Sequence, residues 1–210
     1  MAELKDCSRF AGAAMIAAAL GTILAMTHHP TGAHGGPLGA VVHGAMIVLL
    51  MVIAFGFAMF AIRRGLARPF VIAGVIAYAV SLFAHIGAAT INGFVVPALA
   101  DPQAPPASHD LFRLLWHANQ ALAHLGVYAT GAAFTLWSID LINDSARPAR
   151  LAGVAGVAAG FVPALLLASD IIRMDVTGAS IVYAAHAAWT VLVGLLLWGA
   201  VLQPRPGRVN

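Results

Sequence analysis

Charge is what this chain has least of: 11 Lys and Arg and 8 Asp and Glu among 210 residues, 9% in all. A water-soluble domain carries about 25% charged residues. The shortfall leaves too little charge to cover a solvated surface, so the chain reads as an integral membrane protein. The net charge is +3, and the basic residues are scattered through short loops, which excludes the basic patch that nucleic-acid binding needs. There is a single cysteine, Cys7. No disulfide within the chain and no CxxC redox or zinc motif is possible, and Cys7 reads as an ordinary thiol. HExxH, GxSxG and Gly-rich phosphate loops are missing, as are the closely spaced histidine pairs of membrane di-iron oxygenases. No pair of acids lies inside an apolar run, so the charged coupling site of a proton-driven transporter is absent.

Hydrophobic residues, by contrast, make up 61% of the sequence. Spanning a bilayer takes roughly 20 mainly apolar residues. Six segments qualify, at about 10–27, 40–62, 70–98, 111–141, 150–169 and 179–202. Gly, Pro, Asn and Asp clusters separate them: His28 to Pro37, Arg63 to Pro69, Pro97 to Pro106, Asn143 to Pro148 and Asp170 to Gly178. The expected fold is all-α, a single transmembrane domain of six helices in one bundle. Lys5, Arg9, Arg63, Arg64, Arg68, Arg147, Arg150, Arg205 and Arg208 fall on one side, and only Arg113 and Arg173 on the other. The positive-inside rule then puts both termini in the cytoplasm, in the cytoplasmic membrane of a bacterium. A basic start followed by an apolar run also suits a signal peptide. Residues 1–27 are nevertheless read as a retained helix, because the run is long and no small-x-small cleavage site follows it.

Trp116, Trp137 and Trp198 are expected at the interfaces. Ala13, Ala17, Gly21 and Ala25, and Gly156 with Gly160, recur every four residues and read as close-packing surfaces. Thr22 and Met26 on the first helix read as packing residues too. Asp101, Asp110, Asp170 and Asp175 read as solvated loop residues or helix starts, Asp110 opening the fourth helix.

The nine histidines carry the functional signal. His43, His85, His117, His124 and His186 lie inside the apolar runs, where an imidazole is costly unless it finds a partner. At 1.5 Å per residue, His43, His117 and His186 come roughly 6–10 Å from the outer helix ends, and His85 and His124 roughly 17–20 Å. Tyr78, Ser81, His85 and Asn92 share a helix face. His117, Gln120, His124, Tyr128 and Thr135 share another, and Tyr183, His186 and Thr190 a third. Met46 lies one turn below His43. Such stripes are expected to turn into the bundle.

Histidine is a standard axial ligand for haem iron, and helix bundles build such sites in their cores. The leading reading is haem b for electron transfer. His85 and His124 would form one ligand pair, His117 and His186 a second, and His43 could replace a member of either. Gly and Ala beside these residues would leave room for a macrocycle. The segments Ala84-His85-Ile86-Gly87 and Ala123-His124-Leu125-Gly126 resemble each other, as two copies of a binding helix would.

Two alternatives stay open. His43, His117 and His186 could hold copper or zinc for metal handling or sensing, with Gln120, Asn92 or Tyr128 supporting the ligands. His28, His29, His34 and His109 would then form an entry funnel. Otherwise the chain is a non-catalytic accessory subunit, whose histidines hydrogen-bond across helices and whose partner is another membrane protein or redox protein.

Overall fold

The computed structural model describes residues 2–28, 36–101, 103, 105 and 107–202. It is 86% helix. In chain order the helices are α1 (Ala2–Thr27), α2 (Gly36–Arg64), α3 (Pro69–Thr90), a π turn (Ile91–Val95) running into α4 (Val96–Leu99), α5 (His109–Ile142), α6 (Arg147–Ala168) and α7 (Val176–Trp198). With α3, the π turn and α4 forming one span (Pro69–Leu99), six helices among the described residues are long and apolar enough to cross a bilayer. They match the six segments read from the sequence. The first begins several residues earlier, because Glu3 to Arg9 continues as helix, and the last ends sooner, at Trp198.

The breaks follow local chemistry. Gly65 ends α2 at φ +95°, and its N–H donates to Ala61 O at 2.9 Å; this is the left-handed cap that glycine adopts without a steric penalty. Pro69 then opens α3 at a position where a missing N–H costs nothing. Ser108, two residues before Asp110, caps α5 by accepting from Leu111 N, so Asp110 sits in the first turn and not at the cap. Asp175 caps α7 through Gly178 N, 2.8 Å. The π turn lies just before Pro97, which can donate no hydrogen bond to Gly93 O; widening the turn by one residue absorbs the mismatch.

The helices close into a ring. α1 packs on α2 and α7, α3 on α2 and α5, and α6 on α5 and α7. Glycine lets backbones meet at two seams. A Cβ on Gly131 would come 2.5 Å from Gly160 O, and one on Gly12 would come 2.5 Å from Gly194 O. The α5–α6 seam thus uses Gly160, as the small-residue spacing suggested. On α1 the close approach is made by Gly12, whereas Gly21 meets the Leu49 side chain. Apolar side chains face outward all round, with Leu24, Val48 and Phe83 each more than three-fifths exposed. Water would penalise such a surface and lipid does not.

One half of the bundle is solid. Phe57 stacks on Trp137 and Trp189 at centroid distances of 4.8 and 5.8 Å, and Phe134 lies 4.2 Å from Trp189. Trp137, expected at an interface, is buried here. Its indole N–H donates to Val71 O at 3.1 Å, and its ring lies over Gly74. Trp116 and Trp198 are exposed near helix ends, as expected. Below the aromatic rings, buried Arg64 pairs with Asp140 (2.5 Å) and with Asp144, and Arg68 pairs with Asp140 at 2.7 Å. Arg63 donates to Leu202 O. This arginine-rich end is therefore closed by rings and ion pairs.

Candidate functional site

The opposite end is hollow. α5 is 34 residues long, about 50 Å at 1.5 Å per residue, against a hydrocarbon core of about 30 Å. Its first turns border the same space as α4. There the π turn and α4 draw away from α5, and the space enclosed with α1, α2 and α7 is an open chamber of about 680 Å³. That volume falls within the range of about 300–1,000 Å³ typical of sites for small molecules and cofactors.

At the mouth stand His109, Arg113, Trp116 and Asp175. Arg113 is exposed and pairs with Asp110 at 3.3 Å. Thioethers and carboxamides line the walls. Met26 and Met46 form a buried cluster with Val42, and Met174 contributes from the α6–α7 connection. Asn119 donates to Ala88 O at 2.9 Å, and Gln120 donates to Met174 O at 3.2 Å. Gly39, Ala88, Ala89, Ala123 and Ala179 leave the chamber its width.

Two of the five intramembrane histidines line this chamber. His43 is buried on its wall, and its Nδ1–H donates to Gly39 O at 2.8 Å. A carbonyl only accepts, so this bond fixes the proton on Nδ1, the tautomer that metal-binding imidazoles commonly use. The His43 Cβ also fits against Gly93, where an added methyl would come within 2.4 Å. The π turn thus sets the α2–α3 spacing at the level of His43. His85 is buried at the chamber floor. The Tyr183 hydroxyl lies 3.3 Å from its Nδ1 and the Thr130 hydroxyl 3.5 Å from its Nε2. Its ring fills the space that a Cβ on Gly126 would occupy, at 2.5 Å.

The other three lie elsewhere. His186 is buried deeper, against the Phe134 ring at 5.2 Å, and does not reach the chamber. His117 is exposed beside Trp116, and half-buried His124 lies against exposed Tyr128. None of these three lines the chamber. The expected inward stripe of α5 is therefore split: Gln120 lines the chamber and Thr135 lies against Gly160 of α6, while His117, His124 and Tyr128 lie off the chamber. The packing face is instead Asn119, Ala123, Gly126, Thr130 and Phe134, where small side chains admit α3 closely. The two similar tetrapeptides do meet, but unequally, since Gly126 of the second cradles His85 of the first. His85 and His124 consequently do not face each other.

His43, His117 and His186 are not gathered either; among the described residues no three His, Cys, Asp or Glu side chains come close enough to hold a metal ion. Of the expected supporting residues, Gln120 and Asn92 line the chamber and Tyr128 does not. Of the loop histidines, His109 is at the mouth and His28 bonds to its own helix end at Leu24 O, while His29 and His34 lie outside the described residues. Met26 and Thr22, read from the sequence as packing residues, line the chamber. So do Asn119 and Met174, which the histidine pattern did not single out; Asn119 was legible only as a polar residue four before Ala123 on the small-residue face.

No protein-family model matches the chain, and no curated protein or solved structure is significantly similar to it.

Proposed function

We propose that the protein binds haem b in the chamber and transfers electrons at one face of a membrane. The observation that carries this reading is the chamber itself: an amphipathic hollow with imidazoles from two spans, thioethers on its walls and a cation at its mouth. Haem b is a flat apolar disc with two carboxylates on one edge. The Gly and Ala walls suit the disc, and Arg113 and His109 suit the carboxylates at the mouth. His43, with its tautomer set by Gly39, would be one axial ligand. His85 or a chamber thioether would be the second, since both His/His and His/Met ligation hold haem iron. Under the positive-inside rule the arginine-rich end lies in the cytoplasm, so the chamber opens on the outer face of the cytoplasmic membrane.

The test is the absorption spectrum of detergent-purified protein, before and after addition of hemin, together with elemental analysis. A Soret band that is lost in His43→Ala and His85→Ala and kept in His117→Ala supports the reading. A colourless protein that takes up no hemin overturns it. Stoichiometric copper in a colourless sample would favour the second reading, to which the thioethers of Met26 and Met46 beside His43 lend support. Thioethers select monovalent copper, whereas zinc would need three gathered imidazoles, which the described residues do not bring together. His117, His124 and Tyr128 on the lipid-side face of α5 support a further role, as the surface a membrane-protein partner would cover, because polar groups facing hydrocarbon gain from a partner.

A further inference from the structure

Beneath the chamber lies a second cavity of about 50 Å³, walled by Phe57 of α2, Tyr78 and Ser81 of α3, Thr130 and Phe134 of α5, and His186 of α7. It shares Thr22, Leu50, His85 and Tyr183 with the chamber, so the chamber floor is its roof. A single water needs about 10–15 Å³ of such space and two to four polar partners. His186 is 6% exposed, and its Nε2 is fully buried without a hydrogen-bond partner in the protein. A buried nitrogen of this kind is costly to leave unpaired, and a water that donates to it removes the penalty.

The threonine, serine and Tyr183 hydroxyls around it are committed elsewhere. Thr22 donates to Ala18 O, Thr130 to Gly126 O, and Thr190 to the backbone carbonyl of His186. With the Thr130 proton so used, Ser81 must donate to Thr130, 2.5 Å away. The Tyr183 hydroxyl is drawn to His85. Among the described residues no carboxylate and no cationic side chain lines the cavity; its titratable groups are His85, Tyr78, Tyr183 and His186, and α6 contributes none. Asp140 and Asp144 are held by Arg64 and Arg68 beyond the stacked rings of Phe57, Phe134, Trp137 and Trp189.

We propose that this inner cavity is a water-filled proton-exchange site, in which water entering from the chamber between Leu50, Thr22, His85 and Tyr183 donates to His186 Nε2. His186 thereby communicates with the aqueous phase at the chamber end and is sealed from the arginine-rich end by the aromatic rings. The inference is independent of what occupies the chamber. It rests on the orphaned nitrogen, the room beside it and the shared roof.

The experiment is nitrogen-15 histidine NMR of the purified full chain in lipid bilayers, read as cross-peaks from magnetisation transfer between water protons and each ring nitrogen. The expected result is a water cross-peak at His186 Nε2, as at exposed His109 of the chamber mouth, and its loss in Leu50→Trp, which plugs the shared roof, while His109 keeps its peak. A wild-type His186 without a water cross-peak overturns the proposal. So does a peak that persists in the plugged variant, because the water would then arrive by another route. Thr22→Leu narrows the same opening and serves as the second plug if Leu50→Trp fails to keep the wild-type His109 resonance.

Discussion

Replacing Gly126 by alanine sets helix propensity against packing at the residue that seats His85. In an open helical position the change is favourable by about 1 kcal/mol. Here the new methyl would stand 2.5–2.8 Å from three atoms of the imidazole, closer than van der Waals contact allows. Forcing a packed interior to admit it costs about 1–3 kcal/mol. Displacing the ring also loses its two long contacts, to Tyr183 at 3.3 Å and Thr130 at 3.5 Å, together worth about 1 kcal/mol. The sum is a net destabilisation of about 1–3 kcal/mol, which for a chain of this length lowers the melting temperature by about 2–12 °C. The control is Gly44→Ala on α2, where a Cβ would meet only Phe94 at 3.6 Å; it should be neutral or slightly stabilising. Thermal unfolding of both variants in one detergent, followed by circular dichroism, makes the comparison. A Gly126→Ala protein as stable as wild type would refute the placement of His85 against α5, and with it the chamber floor.

Three further outcomes follow from the same structure. Arg64→Ala leaves Asp140 buried with only half-exposed Arg68 beside it, and should cost about 3–5 kcal/mol by the usual penalty for stranding a buried charge. Arg64→Met with Asp140→Leu should recover much of that loss in a denaturation assay; no recovery would mean that the pair does more than neutralise itself. Trp137→Phe keeps the stack on Phe57 but removes the donor to Val71 O, for an expected loss of about 1–2 kcal/mol, measurable as a lower melting temperature. Finally, His124→Ala should leave both hemin uptake and stability close to wild type, since its ring lies outside the chamber; loss of a Soret band in that variant would reinstate the His85–His124 pairing.

Six spans, their breaks and the excess of basic residues at one end were legible in the sequence, because bilayer thickness and the need to satisfy every backbone polar group act on each segment separately. Segment-level physics misplaced His186, which was counted among the shallow histidines yet lies beneath His85 at the chamber floor. Nor did it settle the direction in which each histidine points. The polar stripe of α5 was expected to face inward on the rule that hydrocarbon repels imidazole, yet the face that packs is the one whose small residues let α3 and α6 approach. His117 and His124 were rotated outward as a consequence. Met26 and Asn119 reached the chamber for the converse reason, being carried there by the faces that pack. Which side chains meet depends on helix rotation about the axis, and that is fixed by contacts between helices: Gly126 against His85, Gly93 against His43 and Gly131 against Gly160. Composition and spacing therefore decided what crosses the membrane and where it turns, while the chamber, its floor and the cavity under it exist only once six separately stable helices have chosen their mutual rotations.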